Sequence, residues 1–383
     1  MLKNYIKIAV IILLILSLFA CSSAPPPRQP DNSRQAAEAA FADMDGTSRP
    51  GVPGTTTPGQ SAFDSLDRPI WLDSPETVYN RNQYVHGVGH GNSREQAQRS
   101  ALAALTAYFG QSIQIDQTVT NTYYEAIRSG NIADYTDDLA IQNTIRTQSS
   151  LDSLIGAEIR GNWHDARNNQ HYSIAVMEIA QATSIYSEMI RSNQTMINNL
   201  TNMNTTEKNS LRGYSRYLFA GVVADINVTY SNLLTVLGMP SPNEMSNGNS
   251  YRLEAQNIAG TIPIAVMVYN DRANRIQGAF TKAFTEMGFR TGGNNPQYIC
   301  EVDITISPVD LGNNQNTFIR LELSANLKDE LTDAVIFTWS FNERHGHLNA
   351  SEAENRAFSS AENKIAAEYK DYMSEYLSKL IDK

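Results

Sequence analysis

The amino-acid sequence predicts an α+β protein, in which two small α/β modules are joined by a helical connector and preceded by a disordered lipid tether. The 383 residues are 41% hydrophobic and 18% charged, a composition that suits a globular chain with a substantial core. Strand-like alternation and helical spacing occur twice in the order strand, helix, strands, helix. The predicted signal peptide, tether, first module, connector with linker, and second module are residues 1–20, 21–67, 68–204, 205–250 and 251–383.

The N-terminus has the pattern of a secretion signal. Two lysines precede an apolar run at 8–20, which at about 1.5 Å per residue is too short to cross a hydrocarbon core of about 30 Å. The run ends in Leu18-Phe19-Ala20-Cys21, which resembles the bacterial lipobox. This resemblance implies that Cys21 carries the lipid, and Ser22 after it implies the outer membrane, facing the periplasm. An ordinary cleaved signal with an incidental cysteine is the alternative.

Composition also constrains the partners and the compartment. The stretch 22–67 is too rich in Pro, Gly, Ser and Thr to bury much apolar area, so we expect a flexible tether. The net charge of −10 gives no field that attracts polyanions, so we expect no nucleic-acid partner. The two cysteines allow at most one disulfide. With Cys21 lipidated, we expect Cys300 to be a buried, unreactive thiol in a strand.

The first module begins at Pro69-Ile70-Trp71 and continues into a strand ending in glycines. A capping box at Ser93 to Gln96 starts a helix with an alanine-rich face, and Gly110 ends it. A strand is predicted next, at 112–119. A hairpin follows, with strands at 155–163 and 172–179 and an Asn-containing turn at 165–169, and a helix begins at about Gln181.

Several short motifs of this module match a known family. They are the Pro69-Ile70-Trp71 start, the Gly87-Val88-Gly89 strand end, the alanine-spaced helix and the hairpin from Trp163 to Val176. With these motifs, residues of about 68–182 resemble the Lpp-twenty family of envelope lipoproteins, which includes flagellar accessory proteins of the outer membrane. The resemblance implies a module that makes protein contacts, and it implies no catalytic residues.

The second part of the chain repeats the element order. A helical stretch from Thr206 to Leu237 is followed by the linker 243–250. The apolar run 262–268 predicts a strand buried on both faces. A helix capped by Asp271, strands at 298–307, 317–327 and 334–341, and a helix from Ser351 complete the module. Its pattern is similar to the small domains of the TolB N-terminal and CsgG type, which implies a periplasmic assembly module and an architecture shared with the first module.

Candidate chemical groups are few, and a structural role is favoured for each. The glycine-rich 87–91 segment lacks Rossmann or Walker spacing. The sequence Trp163-His164-Asp165 sits at a polar turn without a marked nucleophile. The best local set of metal ligands is Glu343, His345 and His347, which lacks a fourth ligand. We therefore predict no catalytic residues, no metal site and no cofactor.

Tyrosine is the strongest remaining signal for function, because it combines a large apolar ring with a polar tip and is common at interfaces. Eighteen tyrosines are present. Tyr123 and Tyr124 lie at the end of a predicted strand of the first module, and Tyr369, Tyr372 and Tyr376 lie on one face of the last helix. We identify all five as interface candidates. For the three tyrosines of the helix, packing in the core is the favoured role.

These features favour a non-enzymatic envelope lipoprotein that docks to or organises a periplasmic or outer-membrane assembly, flagellar by family resemblance. The expected partners are the membrane, through the N-terminal lipid, and envelope proteins or further copies of the chain. The alternative is a periplasmic ligand-binding lipoprotein that serves a transporter or an enzyme, which requires a deep pocket between the modules.

Overall fold

Two β-sheets and the helices packed on them form the described part of the protein. The computed structural model describes residues 68–110, 117–128, 154–240, 247–312 and 315–381, all within one contact unit, Gly59–Lys383. The predicted signal peptide, the lipid attachment residue Cys21 and the tether lie outside the described residues. Among the described helices, none has the length and apolar character that a membrane span requires.

The first sheet is antiparallel and has the strand order β1-β3-β2. Its hairpin confirms the predicted one, with Trp163 opposite Tyr172 and a turn residue, Asn169, at a φ of 49°. The elements up to this point are α1 Ile70–Asp73, α2 Pro75–Val78, β1 Tyr84–Gly91, α3 Arg94–Phe109, α4 Gln117–Arg128, β2 Ala157–Asp165 and β3 Gln170–Glu178.

Helix α3 lies directly on the backbone of β1, and the glycines of that strand make this possible. A Cβ atom on Gly89 would lie 2.0 Å from the Ala101 nitrogen, and one on Gly87 would lie 2.3 Å from the Leu105 nitrogen. Ala101 and Leu105 are fully buried in return. The predicted cap holds too, because the Ser93 hydroxyl accepts a hydrogen bond from the Gln96 amide at 3.2 Å. The glycines therefore serve packing, as predicted, and leave no room there for a phosphate.

Helix α4 corrects the end of the strand predicted at 112–119, because residues 117–119 are helical. Residues 111–116 lie outside the described residues, but the chain is helical from Gln117 onwards. Besides Ala126, the buried positions of α4 are Thr120, Tyr123, Tyr124 and Ile127. They are spaced i, i+3, i+4 and i+7, which is the pattern of a helix face. The alternation of polar and apolar residues at 112–119 predicted a strand. The helical spacing of the apolar residues that follow decides the structure from Gln117 onwards.

The predicted connector is a central element of the core. Helix α5 spans Ile179–Thr201, α6 Thr205–Lys208, α7 Leu211–Val236 and α8 Gly248–Thr261. From Phe219 onwards α7 is packed in the hydrophobic cluster of the first sheet. Its first turns contribute Leu211 and Tyr214 to the cluster of the second sheet.

The second sheet has five strands in the order β5-β4-β6-β7-β8, with β4 parallel to both neighbours and the other pairs antiparallel. Residues from its helices and from one face of its strands share one hydrophobic cluster. The elements are β4 Pro263–Tyr269, a 3₁₀ turn Arg272–Asn274, α9 Arg275–Glu286, β5 Arg290–Thr291, β6 Tyr298–Val309, β7 Thr317–Asp329, β8 Ala334–His347, α10 Ala350–Lys364, a π-helical turn Ile365–Tyr369 and α11 Lys370–Ser378.

Two helix starts differ from the predicted caps. Helix α10 is capped by Asn349, whose side chain accepts a hydrogen bond from the Ser351 amide at 2.8 Å. The N-cap residue of α9 is Asn274 and not the predicted Asp271. Asp271 lies three residues earlier, and its carboxylate accepts a hydrogen bond from the Gln277 amide at 2.9 Å.

The repeated element order does not give two identical sheets. In the first sheet β1 pairs antiparallel with β3, the second strand of the hairpin. In the second sheet β4 pairs parallel with β6, the first long strand after the intervening helix. The α+β class is confirmed, while the predicted shared architecture extends to the order of elements and not to the pairing of strands.

Strand β4 also differs from the prediction that both its faces are buried. Ile264 is fully buried at the start of the strand, but Met267 is 42% and Tyr269 is 50% exposed. One face of β4 packs on the helices, and the other faces outward. A continuous apolar run is therefore compatible with a strand that has one exposed face.

The contact between α3 and β1 predicts a strong effect of a single methyl group. We expect Gly89→Ala to lower the free energy of unfolding by about 3 kcal/mol or more, because the new Cβ would overlap helix backbone that cannot move aside. The matched control is Gly278→Ala in α9, where a Cβ has open space, and which should stabilise the helix by about 0.5–1 kcal/mol. Urea denaturation of both variants measures this, and equal stabilities would contradict the account.

Candidate functional site

The five tyrosines predicted as interface candidates do not form one surface. Tyr123, Tyr124 and Tyr369 are at most 1% exposed and lie inside the two hydrophobic clusters. Tyr376 is partly buried against the second cluster. Tyr372 is 53% exposed and alone of the five presents most of its side chain to solvent. The prediction of an interface role is therefore wrong for the three buried tyrosines, which pack in the core because they lie on the buried faces of their helices.

Tyr123 is held by a buried polar network between three helices. Its hydroxyl donates to the Asn193 side-chain oxygen at 2.8 Å, and the Asn193 amide donates to the Asn227 side-chain oxygen at 2.8 Å. The Asn227 amide in turn donates to the Ile190 carbonyl at 3.4 Å. Buried polar groups that are satisfied in this way fix the relative positions of α4, α5 and α7.

Tyr369 and Cys300 occupy the centre of the second core. The ring of Tyr369 makes edge contacts with Phe280 at 4.8 Å and with Trp339 at 5.7 Å between ring centroids. Cys300 is fully buried, and this burial raises the pKa of its thiol to about 12. Thiolate is thus suppressed at neutral pH, in agreement with the predicted inert cysteine.

The predicted chemical candidates occupy structural positions. Glu343 and His345 are neighbours, with 3.0 Å between carboxylate oxygen and Nε2, and a hydrogen bond from Ser360 lowers the pKa of Glu343. The His347 Nδ1 accepts a bond from the Asn349 amide at 3.2 Å. Within the described ranges, no group of three or more His, Cys, Asp or Glu residues is arranged to hold a metal ion.

The hairpin candidate Trp163-His164-Asp165 is explained by its turn. The Asp165 carboxylate accepts bonds from the Arg167 amide at 3.0 Å and from the Asn168 side chain at 2.7 Å. His164 stacks on His171 across the hairpin, with 4.3 Å between ring centroids. The carboxylate is therefore engaged with its own turn.

The clearest unfilled site is the outer edge of β4. The short strand β5 pairs only with Pro263 and Ile264, so Ala265–Tyr269, which pairs with β6 on its inner side, has no strand on its outer side among the described residues. The Ile264 carbonyl points to this edge, where it accepts from the Gly292 amide at 3.1 Å. Backbone groups alternate along a strand, so those of Val266 and Val268 point to the same edge. Sequence reasoning missed this edge because strand order cannot be derived from periodicity.

A groove runs along this edge. It has a volume of about 240 Å³, and it is lined by β4, α9, the end of β5 and the glycine that follows, among them Met267, Gln277, Thr281, Thr291 and Gly292. A wider depression of about 610 Å³ on the exposed side of α9 shares Gln277 and Thr281 with it. Gln277 donates a hydrogen bond to the Val266 carbonyl at 3.0 Å, so its amide already acts on the edge in place of a neighbouring strand.

The edge is uncharged over its whole length. Strand β4 reads Pro-Ile-Ala-Val-Met-Val-Tyr and contains no Lys, Arg, Asp or Glu. The basic residue at the start of α9, Arg275, is bound to Glu362 of α10 at 2.5 Å. Natural edge strands are usually protected by charges, prolines or bulges. The open part of β4 has none of these.

The chain is similar to several solved structures. The secreted protein HP1454 from Helicobacter pylori shares 16% identity with a TM-score of 0.39, over 74% of this chain and 98% of that one. A minor lipoprotein from Acinetobacter baumannii shares 13% with a TM-score of 0.23, over 30% and 90%. Lipoprotein GNA1162 from Neisseria meningitidis shares 12% with a TM-score of 0.19, over 27% and 98%. No protein-family model and no curated protein matches the chain. Similarity this distant does not assign a function.

The buried state of Cys300 predicts its reactivity. In the native protein we expect iodoacetamide to leave this thiol unmodified at pH 8, because burial raises its pKa to about 12 and excludes the reagent. In 6 M guanidinium the same thiol should be alkylated within minutes. Intact mass before and after unfolding measures the difference, and rapid native alkylation would contradict the assignment.

Proposed function

We propose that this chain is a non-enzymatic lipoprotein of the bacterial envelope whose folded part binds another protein by strand addition at the open edge of β4. Cys21 is the proposed lipid attachment site, and the outer membrane, facing the periplasm, is the proposed location. The resemblance of residues of about 68–182 to the Lpp-twenty family supports a flagellar assembly as the setting.

The observation that carries this proposal is the open edge at Ala265–Tyr269. Strand addition uses backbone hydrogen bonds for affinity and alternate side chains for specificity. The edge offers the backbone groups of Val266 and Val268, and the exposed side chains of Met267 and Tyr269 offer apolar contacts beside them. The neighbouring groove accepts the side chains that an added strand turns toward α9.

The predicted tether suits this role. A flexible chain of 46 residues, from Ser22 to Asp67, has a root-mean-square span of about 35–40 Å by the relation of about 5–6 Å × √n. Such a tether lets the folded unit reach partners within a few nanometres of the membrane while the lipid keeps it at the surface. The described cavities beside α9 are shallow and border one sheet, so they favour a bound strand over a buried small ligand.

Site-specific photo-crosslinking tests the proposal in living cells. A benzoylphenylalanine at Met267 of the full-length lipoprotein should form a defined covalent adduct with a protein, because the added strand lies against this side chain. The matched control is Leu331 in the β7–β8 turn, which is 88% exposed and lies away from the β4 edge. Adducts of equal yield from both positions, or none from Met267, would contradict strand addition.

A further inference from the structure

We propose that the strand added to β4 is the β4 strand of a second copy of this chain, in antiparallel register about a twofold axis at Met267. This inference rests on the proposed function, because it names the partner of the same edge. The two sheets then form one continuous sheet across the dimer.

The open edge of β4 is short and closed at both ends. Strand β5 closes the edge before Ala265, and after Tyr269 the chain turns away at Asn270, whose φ is 63°. An added strand therefore has room for about five residues and must leave the edge at both ends. The β4 strand of a second copy has this shape, since its own open stretch begins and ends at the same two points.

The hydrogen-bonding groups of two β4 edges match each other. In an antiparallel pair centred on Met267, Val266 lies opposite Val268 of the second copy, and Val268 lies opposite Val266. Both valines direct their backbone groups outward, as the Ile264 carbonyl and the bond from Gln277 to Val266 show. The two positions thus form hydrogen-bonded pairs, while Met267 meets its equivalent at a non-hydrogen-bonded position. The Val266 carbonyl has a second lone pair for this bond.

The side chains of the two strands also fit each other. The same register places Tyr269 opposite Ala265 twice, so a large ring faces a small side chain on the exposed side of the sheet. Met267 packs on the equivalent Met267 between these two pairs. The 42% and 50% exposure of Met267 and Tyr269 in the single chain is covered by this contact.

The distribution of charge also favours contact between two copies at this edge. Each copy carries a net charge of −10, so most surfaces of two copies repel each other at low ionic strength. The open edge has no charged side chain, and its groove residues Gln277, Thr281 and Thr291 are neutral. Contact at this edge therefore brings no like charges together.

The other edge of the sheet is less suited to self-pairing. Strand β8 carries the consecutive polar residues Asn342, Glu343, Arg344 and His345, and its pairing with β7 is interrupted by a bulge at Leu327. Charges and bulges are the usual protection of an edge strand. Pairing of β4 with β8 of a second copy would instead build an open or ring-shaped assembly, and the test below separates this arrangement from the twofold dimer.

A ladder of five residues is a small interface, and the lipid anchor compensates for its weakness. Confinement of two tethered copies to one membrane surface raises their effective concentration without any new contact. The dimer should therefore form in the envelope more readily than in dilute solution. The decisive experiment uses the full chain in its membrane.

The test is disulfide trapping in intact cells. In the lipidated full chain Cys21 is acylated and Cys300 is buried, so a new cysteine at the edge is the reactive one. In Met267→Cys, the two thiols face each other with Cα atoms about 4.5 Å apart, within the range for a disulfide. Mild oxidation should convert Met267→Cys to a covalent dimer several-fold more efficiently than Leu331→Cys, the exposed control.

A second pair of variants fixes the register. Ala265→Cys and Tyr269→Cys expressed together should form a mixed disulfide, because these positions are opposite each other. Ala265→Cys expressed by itself should stay monomeric, since its equivalent lies four residues along the strand, about 13 Å away. A disulfide between Met267→Cys and a cysteine on β8, in place of the Met267→Cys dimer, would overturn the twofold arrangement.

The outcomes distinguish this inference from the function on which it rests. If Met267→Cys does not dimerise while the photo-probe at Met267 captures a different protein, the second copy is excluded as the partner and strand addition stands. If neither experiment gives a product, both proposals are wrong. If Leu331→Cys dimerises as efficiently as Met267→Cys, the disulfides report random collision and the inference is overturned.

Discussion

Helix α7 is the element on which the two large hydrophobic clusters of the described structure depend, because it contributes buried residues to each of them. It also sets the position of α8. Gly248 lies so close to α7 that a Cβ atom would be 2.2 Å from a carboxylate oxygen of Asp225, and its amide donates to that oxygen at 3.0 Å. Arg252 binds the same carboxylate at 2.8 Å. Helix α8 leads directly into β4, so this contact places the strand whose edge is open.

The edge is open because β5 ends early. Gly292 and Gly293 adopt φ values of 84° and 120°, which L-amino acids with side chains rarely adopt, and the chain leaves β4 after two paired residues. Strand β4 is thereby an edge over five residues, although most of its composition is that of a buried strand. An apolar strand that lacks a neighbouring strand along one edge is an unstable surface in water, so a protein that keeps one is expected to use it.

The sequence predicted the elements whose signals are local. The β2–β3 hairpin, the close packing at Gly87 and Gly89 and the inert Cys300 all follow from alternation, residue size and burial. Helix α4 was not predictable from its preceding residues, because its helical face begins only at Thr120. The candidate site was not predictable either. Which strand pairs with β4, and over how many residues, is decided by contacts between distant segments that no local pattern contains.

In the proposed function, another strand covers the β4 edge. Amide hydrogen exchange of the lipidated protein measures this directly, since a paired amide exchanges far more slowly than one that faces water. The account predicts that the Val266 and Val268 amides exchange rapidly in dilute detergent and become protected when the protein is reconstituted at high density on vesicles. Rapid exchange of both amides under both conditions, with the remaining strands of the sheet protected, would contradict it.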